Sequence, residues 1–338
     1  MTKLNVLNYL SRKDKWYLGG GNRLLWSPEF PLFLDRPGFW DRAYYYNVPL
    51  QPLFTWAILD SNGKEVLLES SSREWNPAYL EQRFKGGSIE IVERKAVLPN
   101  DVAISALRLK NKSRKALRVH VLAWSAQESA PGKELGDVAV KNNGLSFERR
   151  IKNPEQKELR FACAFGTSGK LKSHCVNLSE GSADHPLWQS TPFYEKFAKG
   201  KLPDEIRLSG VSDNGLVFLA THTEVHLPPS KEQTVSLGFA VAPTAGEASQ
   251  NLRLALKQND PVNLSALSWQ DHFSGVPFFE CSDVFLTKYY WYRWYGFRLN
   301  TMYGNEGNYS FPFVCEGIGY FRAPISYSAQ CHMLENRW

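Results

Sequence analysis

No run of about 18 apolar residues occurs in the 338-residue chain, so no membrane-spanning helix is expected. The opening MTKLNVLNYLSRKDKW lacks the apolar core of a secretory signal. Cysteine is sparse: Cys163, Cys175, Cys281, Cys315 and Cys331 are odd in number and widely spaced. They offer no CxxC and no Cys/His spacing suited to zinc, so they read as reduced thiols of a cytoplasmic protein that binds no metal. Gly19-Gly20-Gly21-Asn22 lacks the Lys-Ser/Thr and the helix that complete a phosphate loop, and reads as a turn. A basic stripe is also missing. The net charge of +6 comes from scattered Lys and Arg, with one cluster at Lys110, Lys112, Arg114 and Lys115 that reads as a charged hairpin tip. Neither a nucleic-acid nor a membrane partner is expected, nor a cofactor. No internal repeat or low-complexity stretch is visible.

Aromatic residues are plentiful, at 14% of the chain with 11 Trp and 20 Phe. Aromatic faces suit sugar rings, whose axial C–H groups pack on a π face while edge hydroxyls find polar partners. Large β domains also carry aromatics in strands for packing alone.

Residues 1–244 read as all-β. Leu117, Val119 and Val121 alternate with Arg118 and His120, and Val235, Leu237, Phe239 and Val241 repeat the pattern. Further strands are expected at 55–59, 66–68, 88–97, 145–150, 159–166 and 215–222, with a hairpin turning across Asn111–Ser113. Many strands with no alternating helices argue for a large antiparallel sandwich. Segments 19–52 and 185–205 fit no strand pattern and are expected to run as long excursions, which in compact domains are functional or wrap a partner domain. His222 and His226 are four apart, which suits one metal on a helix. In a strand that spacing puts the rings roughly 13 Å apart, too far for one ion.

The pattern changes after Pro243. Ala248, Leu252, Ala255 and Leu256 recur at helical spacing, and a second helix carries Leu264, Leu267 and Trp269. These form a helical linker over 245–280. Ser282 is the expected N-cap of a third helix, with Asp283 as a first-turn acid and a buried stripe of Phe285, Tyr289, Tyr292, Gly296 and Leu299. A fourth helix opens near Ser326 and reaches Trp338 without a cap, a glycine or a polar tail. Residues 281–338 are therefore expected to begin an all-helical domain that continues in a longer protein.

The stretches PGFWDRAYYYN (37–47), YYWYRWYGFRLN (289–300) and EGIGYFRAPISYS (316–328), with the strand pair around Asn100-Asp101 and Asn111, resemble the six-hairpin glycosidases. The nearest likeness is to the amylo-α-1,6-glucosidase and family 63 α-glucosidase group. One stretch departs from the family 63 pattern. Where that family carries an Arg-Gly-Phe-Leu-Trp-Asp-Glu-Gly-Phe-His type motif, this chain runs from Arg322 to His332, and Ser326, Tyr327 or Ser328 replaces the acidic pair. The resemblance implies a β-supersandwich, a helical linker and the first hairpin of an (α/α)6 barrel. It further implies hydrolysis of an oligosaccharide, an α-glucoside, with inversion.

Inversion needs two carboxylates roughly 6.5–9.5 Å apart, one donating a proton and the other activating water. The resemblance places both beyond Trp338, so the remainder of the barrel is this chain's expected partner. Connections entering inner helices line the pocket mouth in such barrels. Phe311, Phe313, Tyr320, Phe321 and Tyr327 are thus candidates to line a sugar subsite, and Glu316 and Arg322 to hold hydroxyls by charge-assisted hydrogen bonds. Alternatively the aromatics pack between barrel and sandwich while Arg322 pairs with Glu316. Two other functions remain open at this stage. A glycoside phosphorylase of similar layout would need one catalytic carboxylate, and a carbohydrate-binding module would need none.

Overall fold

Alternating apolar and polar positions become long strands, and these pair into two stacked antiparallel sheets. The computed structural model describes residues 4–20, 22–28, 34–50, 52–152, 158–180, 197, 199–208, 215–304, 310–317 and 322–335. A short helix, α1 (Val6–Tyr9), precedes β1 (Leu24–Trp26), β2 (Ala43–Tyr45), β3 (Val48–Leu50), β4 (Thr55–Leu59), β5 (Glu69–Asn76), β6 (Tyr79–Gly86) and β7 (Ile89–Leu98). Then come β8 (Val102–Asn111), β9 (Leu117–Ser129), β10 (Lys133–Lys141), β11 (Gly144–Lys152), β12 (Glu158–Thr167), β13 (Leu171–Glu180), β14 (Glu205–Arg207), β15 (Gly215–Leu227) and β16 (Glu232–Ala242). Helices α2 (Ala245–Leu256), α3 (Val262–Gly275) and α4 (Val284–Asn300) follow, then β17 (Thr301–Met302), β18 (Phe313–Val314) and α5 (Ser326–Glu335).

The larger sheet has the order β10-β11-β12-β16-β8-β7-β6-β5, and the smaller β14-β13-β15-β9-β4. All pairs are antiparallel except β13–β14. Trp56, Phe84, Leu107, Val121, Phe147, Phe165, Leu219 and Phe239 fill the space between the sheets. The outer face of the larger sheet carries Ala162, Ala164, Ala240 and Ala242, whose short side chains let α2 lie close and bury Ala248, Leu252 and Ala255. A Cβ on Gly238 would come within 2.7 Å of Leu252 Cδ1, so a side chain there would require Leu252 to shift beneath that helix.

The fold is thus mostly β and antiparallel, as expected, but several elements differ. No hairpin forms across Asn111–Ser113. β8 pairs with β7 and β16, whereas β9 pairs with β4 and β15 in the other sheet. The chain changes layers here, and Asn111 fastens the crossing. Its Nδ2 donates to the carbonyls of Lys115 (2.7 Å) and Leu227 (3.0 Å), and its Oδ1 accepts from Ser113 N (2.8 Å). Residues 66–68 form no strand. The neighbouring ESSSREWN forms β5 instead, an edge strand whose exposed polar residues hide its period. β6, β10 and β13 were likewise not anticipated. Segment 19–52 is not a bare excursion, because β1, β2 and β3 form a small antiparallel sheet within it. Of 185–205, residues 185–196 and 198 lie outside the described residues, while Phe197 and Leu202 pack on the outer face of the smaller sheet.

Phe197 covers a buried polar chain on that face. Leu202 N donates to Ser173 Oγ (2.8 Å), which meets His222 Nδ1 (3.0 Å), and His222 Nε2 meets His120 Nδ1 (2.9 Å). Burial lowers the pKa of both histidines, so the two rings are neutral at pH 7 and one of the facing ring nitrogens donates to the other.

Candidate functional site at the junction of sandwich and helices

The long excursion, the sandwich tip and the helical segment meet at one end of the molecule. Asp101, at φ +59° in the β7–β8 turn, is the centre of this meeting. Its carboxylate accepts from Arg23 Nε (2.7 Å) and Leu24 N (2.8 Å). Burial raises its pKa, with Arg23 opposing. Asn22 adds a bond from Nδ2 to Leu98 O (3.1 Å). The 19–26 segment is thereby bolted to the tip of the larger sheet.

The next stretch, Pro37-Gly38-Phe39-Trp40, is fixed from below by an ion pair inside the sandwich. Glu93 and Lys95 point inward from β7, and neither is measurably exposed. Glu93 Oε1 accepts from Gly38 N (2.9 Å), from Trp56 Nε1 (2.8 Å) and from Ser105 Oγ. Lys95 Nζ donates to Gly38 O (2.8 Å) and lies 3.7 Å from Glu93 Oε2. Gly38, at φ +76°, tolerates no side chain, since a Cβ would sit 2.6 Å from Phe54 O. Trp40 Nε1 donates to Thr55 Oγ1 (2.7 Å), completing the clamp. This clamp sets the approach of Tyr44 to the loop that follows α4.

In α4, Asp283 is itself the N-cap rather than a first-turn acid, and its carboxylate accepts from Phe285 N (2.8 Å) and Leu286 N (3.1 Å). The buried stripe is Thr287, Trp291, Tyr295 and Leu299. Of the expected stripe only Leu299 is on it, whereas Phe285 is 86% and Tyr289 61% exposed. With aromatics on every side of the helix, apolar periodicity selects no face. Packing against α3, through Trp269 and Phe273, decides it. Arg298 locks the arrangement, donating to Gly20 O (3.2 Å), Ser268 O and Ser268 Oγ and stacking 4.6 Å from the Trp269 ring. Replacing Arg298 by alanine is expected to destabilise the chain by about 2–3 kcal/mol, the range for charge-assisted hydrogen bonds. Urea denaturation measures this, and faster proteolysis within 19–22 would locate the loosened contact.

Beyond α4, β17 and β18 pair, and Cys315 N donates to Asn300 O (2.8 Å). Arg322 then turns inward, only 2% exposed, with its guanidinium 5.4 Å from the Tyr44 ring and Nη2 3.6 Å from Met302 Sδ. Its Nε and Nη1 have no hydrogen-bond partner among the described residues. Burial lowers its pKa to about 10 and pushes the adjacent Cys315 thiol up to about 11, so at neutral pH a cation faces a thiol.

Of the candidate subsite residues, Phe311, Phe313, Glu316 and Arg322 are described with their side chains, and these four sit in different surroundings. Phe311 is 79% exposed, Phe313 packs against the core, and Glu316 is exposed. No ion pair joins Glu316 to Arg322 among the described residues. Tyr320 and Phe321 lie outside the described residues, and Tyr327 falls in the first turn of α5. Tyr44, Met302 and Cys315, the groups around Arg322, were not singled out by sequence reasoning, although Tyr44 belongs to the aromatic run at 37–47. On the other side of α4, a mostly apolar groove of about 530 Å³ runs between α4 and Leu334 of α5, lined by Phe279, Leu286, Tyr289, Tyr290, Trp294 and Phe297 with Arg293 among them.

No protein-family model matches this chain, and no curated protein matches it either. Three of the similar solved structures are a family GH92 α-mannosidase, a glucoamylase and a phosphorylase. The α-mannosidase, from Bacteroides thetaiotaomicron, is 10% identical at TM-score 0.48, over 94% of this chain and 45% of that one. The bacterial glucoamylase, complexed with acarbose, is 10% identical at TM-score 0.47, over 79% of this chain and 39% of that one. A provisionally assigned kojibiose phosphorylase from the human microbiome is 10% identical at TM-score 0.48, over 73% of this chain and 31% of that one. The chain spans less than half the length of each. Scores this low define neither a shared fold nor a shared activity.

Proposed function

We propose that this chain is the sheet-built front portion of a glycoside hydrolase acting on oligosaccharides, of α-glucosidase type. In this reading 1–244 is a supersandwich, 245–280 a linker, and 281–338 the start of an (α/α)6 barrel. The observation that carries the proposal is the outer face of α4. Val284, Phe285, Leu286 and Tyr289 are all more than half exposed, and the apolar groove beside them is the kind of seam against which further helices pack. The same helix is anchored on its other side to the linker and the sandwich. Aromatic excess and the resemblance at 37–47, 289–300 and 316–328 support the same reading.

The catalytic carboxylates would come from helices beyond this chain, one protonating the leaving oxygen and one activating water for inversion. Arg322 would contribute from this side. Its Nε and Nη1, which carry three N–H donors, are held without solvent competition and would donate to a carboxylate or a sugar hydroxyl presented by the assembled pocket. The test is to assay a longer form of the protein on maltose-type α-glucosides, following the product anomer by NMR with and without phosphate. The expected result is phosphate-independent release of the inverted anomer, with kcat/KM lowered at least tenfold in Arg322→Met, the effect of about one charge-assisted hydrogen bond. Retention of configuration, or turnover only with phosphate, would reject the mechanism; no turnover of any glycoside would reject the class.

A further inference from the structure

Far from that junction, a second groove of about 460 Å³ opens between α2 and the outer face of the larger sheet. Its floor is Ala164 and Leu252, and its rim holds three cations: Lys141 at the end of β10, with Arg253 and Lys257 on and just after α2. None of the three has an ion-pair partner among the described residues, and no carboxylate lines the groove. Glu247, the acid in the first turn of α2, faces away and pairs with Arg23 at 3.6 Å.

The polar complement is also open. Ser249 Oγ is buried on the groove side of α2 and has no hydrogen-bond partner among the described residues. Ser168 Oγ accepts from Ser236 N (2.8 Å), which leaves its proton free to donate. Asn142 and Asn143 contribute their amides from the β10–β11 turn. Arg253 and Lys257 taken alone would be ordinary last-turn cations facing a helix C-terminus. That account covers neither Lys141, which comes from a strand across the groove, nor the orphaned hydroxyl of Ser249. A buried hydroxyl without a partner is costly unless something fills the site.

We propose that this groove binds a small phosphate ester with a hydroxylated body, the phosphate meeting the three cations and the hydroxyls meeting Ser249, Ser168 and the two asparagine amides. The lining supports that class over others. Among the described residues that line it there is no aromatic platform for a neutral sugar and no carboxylate for a metal or an amine. The proposal concerns a site separate from the one discussed above and does not depend on the chain being a glycosidase.

Isothermal titration calorimetry of the 338-residue chain with glucose 6-phosphate, glucose and inorganic phosphate tests it. Glucose 6-phosphate is expected to bind more tightly than either component, and more weakly as salt rises. Its Kd should rise about tenfold or more in Arg253→Gln/Lys257→Gln, with a similar rise in Lys141→Gln. Ser249→Leu, which fills the groove without touching a charge, should abolish binding while thermal melts show the variants folded. Absence of binding at millimolar ligand, equal binding of inorganic phosphate, or Kd values unchanged in the folded variants would each overturn the proposal.

Discussion

Glu93→Ala is expected to lower the unfolding free energy by about 3–5 kcal/mol, the range for breaking a buried ion pair from one side. In a domain of this size that corresponds to a fall in Tm on the order of 10 °C. The reason is what remains behind. Gly38 N, the Trp56 indole and the Ser105 hydroxyl all lose their acceptor, and Lys95 is left fully buried with the Gly38 and Arg36 carbonyls and the Trp26 ring, but no carboxylate, beside its ammonium. Burial already lowers the Lys95 pKa, with Glu93 as the main opposing influence, so the lysine is expected to shed its proton in the variant.

The paired replacement separates charge from shape. Lys95→Met with Glu93→Leu removes both ions and supplies apolar volume, and it is expected to be less damaging than Glu93→Ala alone. Residual loss in the double variant would come from the Gly38 and Trp56 donors. Urea denaturation of the three variants gives the coupling directly. If Glu93→Ala changed stability by less than about 1 kcal/mol, the clamp on residues 37–40 would not be a structural element.

The clamp illustrates how much of this molecule is legible in its sequence. In IEIVERKAVL the period-2 register that puts Ile89, Ile91 and Val97 on the core side also puts Glu93 and Lys95 there. The signal was present, but charge made the positions look like surface. Strands with clean alternation, such as the first residues of β9 and the middle of β16, are readable for the same reason that β5 is not. A half-buried strand must alternate, whereas an edge strand such as ESSSREWN is free to be polar throughout. Which strands pair is a separate matter. β8 and β9 are joined by five residues with turn chemistry, and nothing local announces that the chain crosses to the other sheet there. That follows from Asn111 bonding to Leu227 and from β15 being available to β9. The helix α4 fails in the opposite way, because it carries too many apolar residues for periodicity to choose a face. The Arg322 environment was only half visible. A lone arginine in an aromatic loop could be noted, but Tyr44 is remote in sequence and only the clamp on 37–40 brings it into place.

Acidification is expected to remove stability in a window set by two histidines. His222, buried against His120 and Phe197, has its pKa pushed down to about 4 by burial, with the neighbouring His120 adding to the effect. His272, packed on Trp269 and next to Arg298, is pushed down to about 4 in the same way. Unfolded histidine titrates near 6.5. Both groups therefore bind fewer protons in the folded chain than in the unfolded one as pH falls from about 6.5 to 4. Their contribution is fully present above pH 6.5, declines through that interval, and is flat below it. The size is on the order of 3 kcal/mol for each histidine as an upper limit. The charges facing His222 and His120 pull in both directions: Glu224, Asp204 and Asp60 favour protonation, while Arg118, Lys172 and His226 oppose it. Glu224 itself adds a separate, more acidic step. Burial works against its charge, but Arg118 and His226 outweigh this and bring its pKa to about 2, so its stabilisation is lost between pH 4.5 and 2. Unfolding free energies measured from pH 7.5 to 4 should thus fall with a slope of about two protons from these histidines, steepened further by His120, whose pKa burial also lowers. His272→Gln should lower that slope by about one proton. A flat profile between pH 7 and 4.5 would mean that neither imidazole is held neutral in the folded chain, and the hydrogen-bond chain from Leu202 through Ser173 to His120 would have to carry its protons differently.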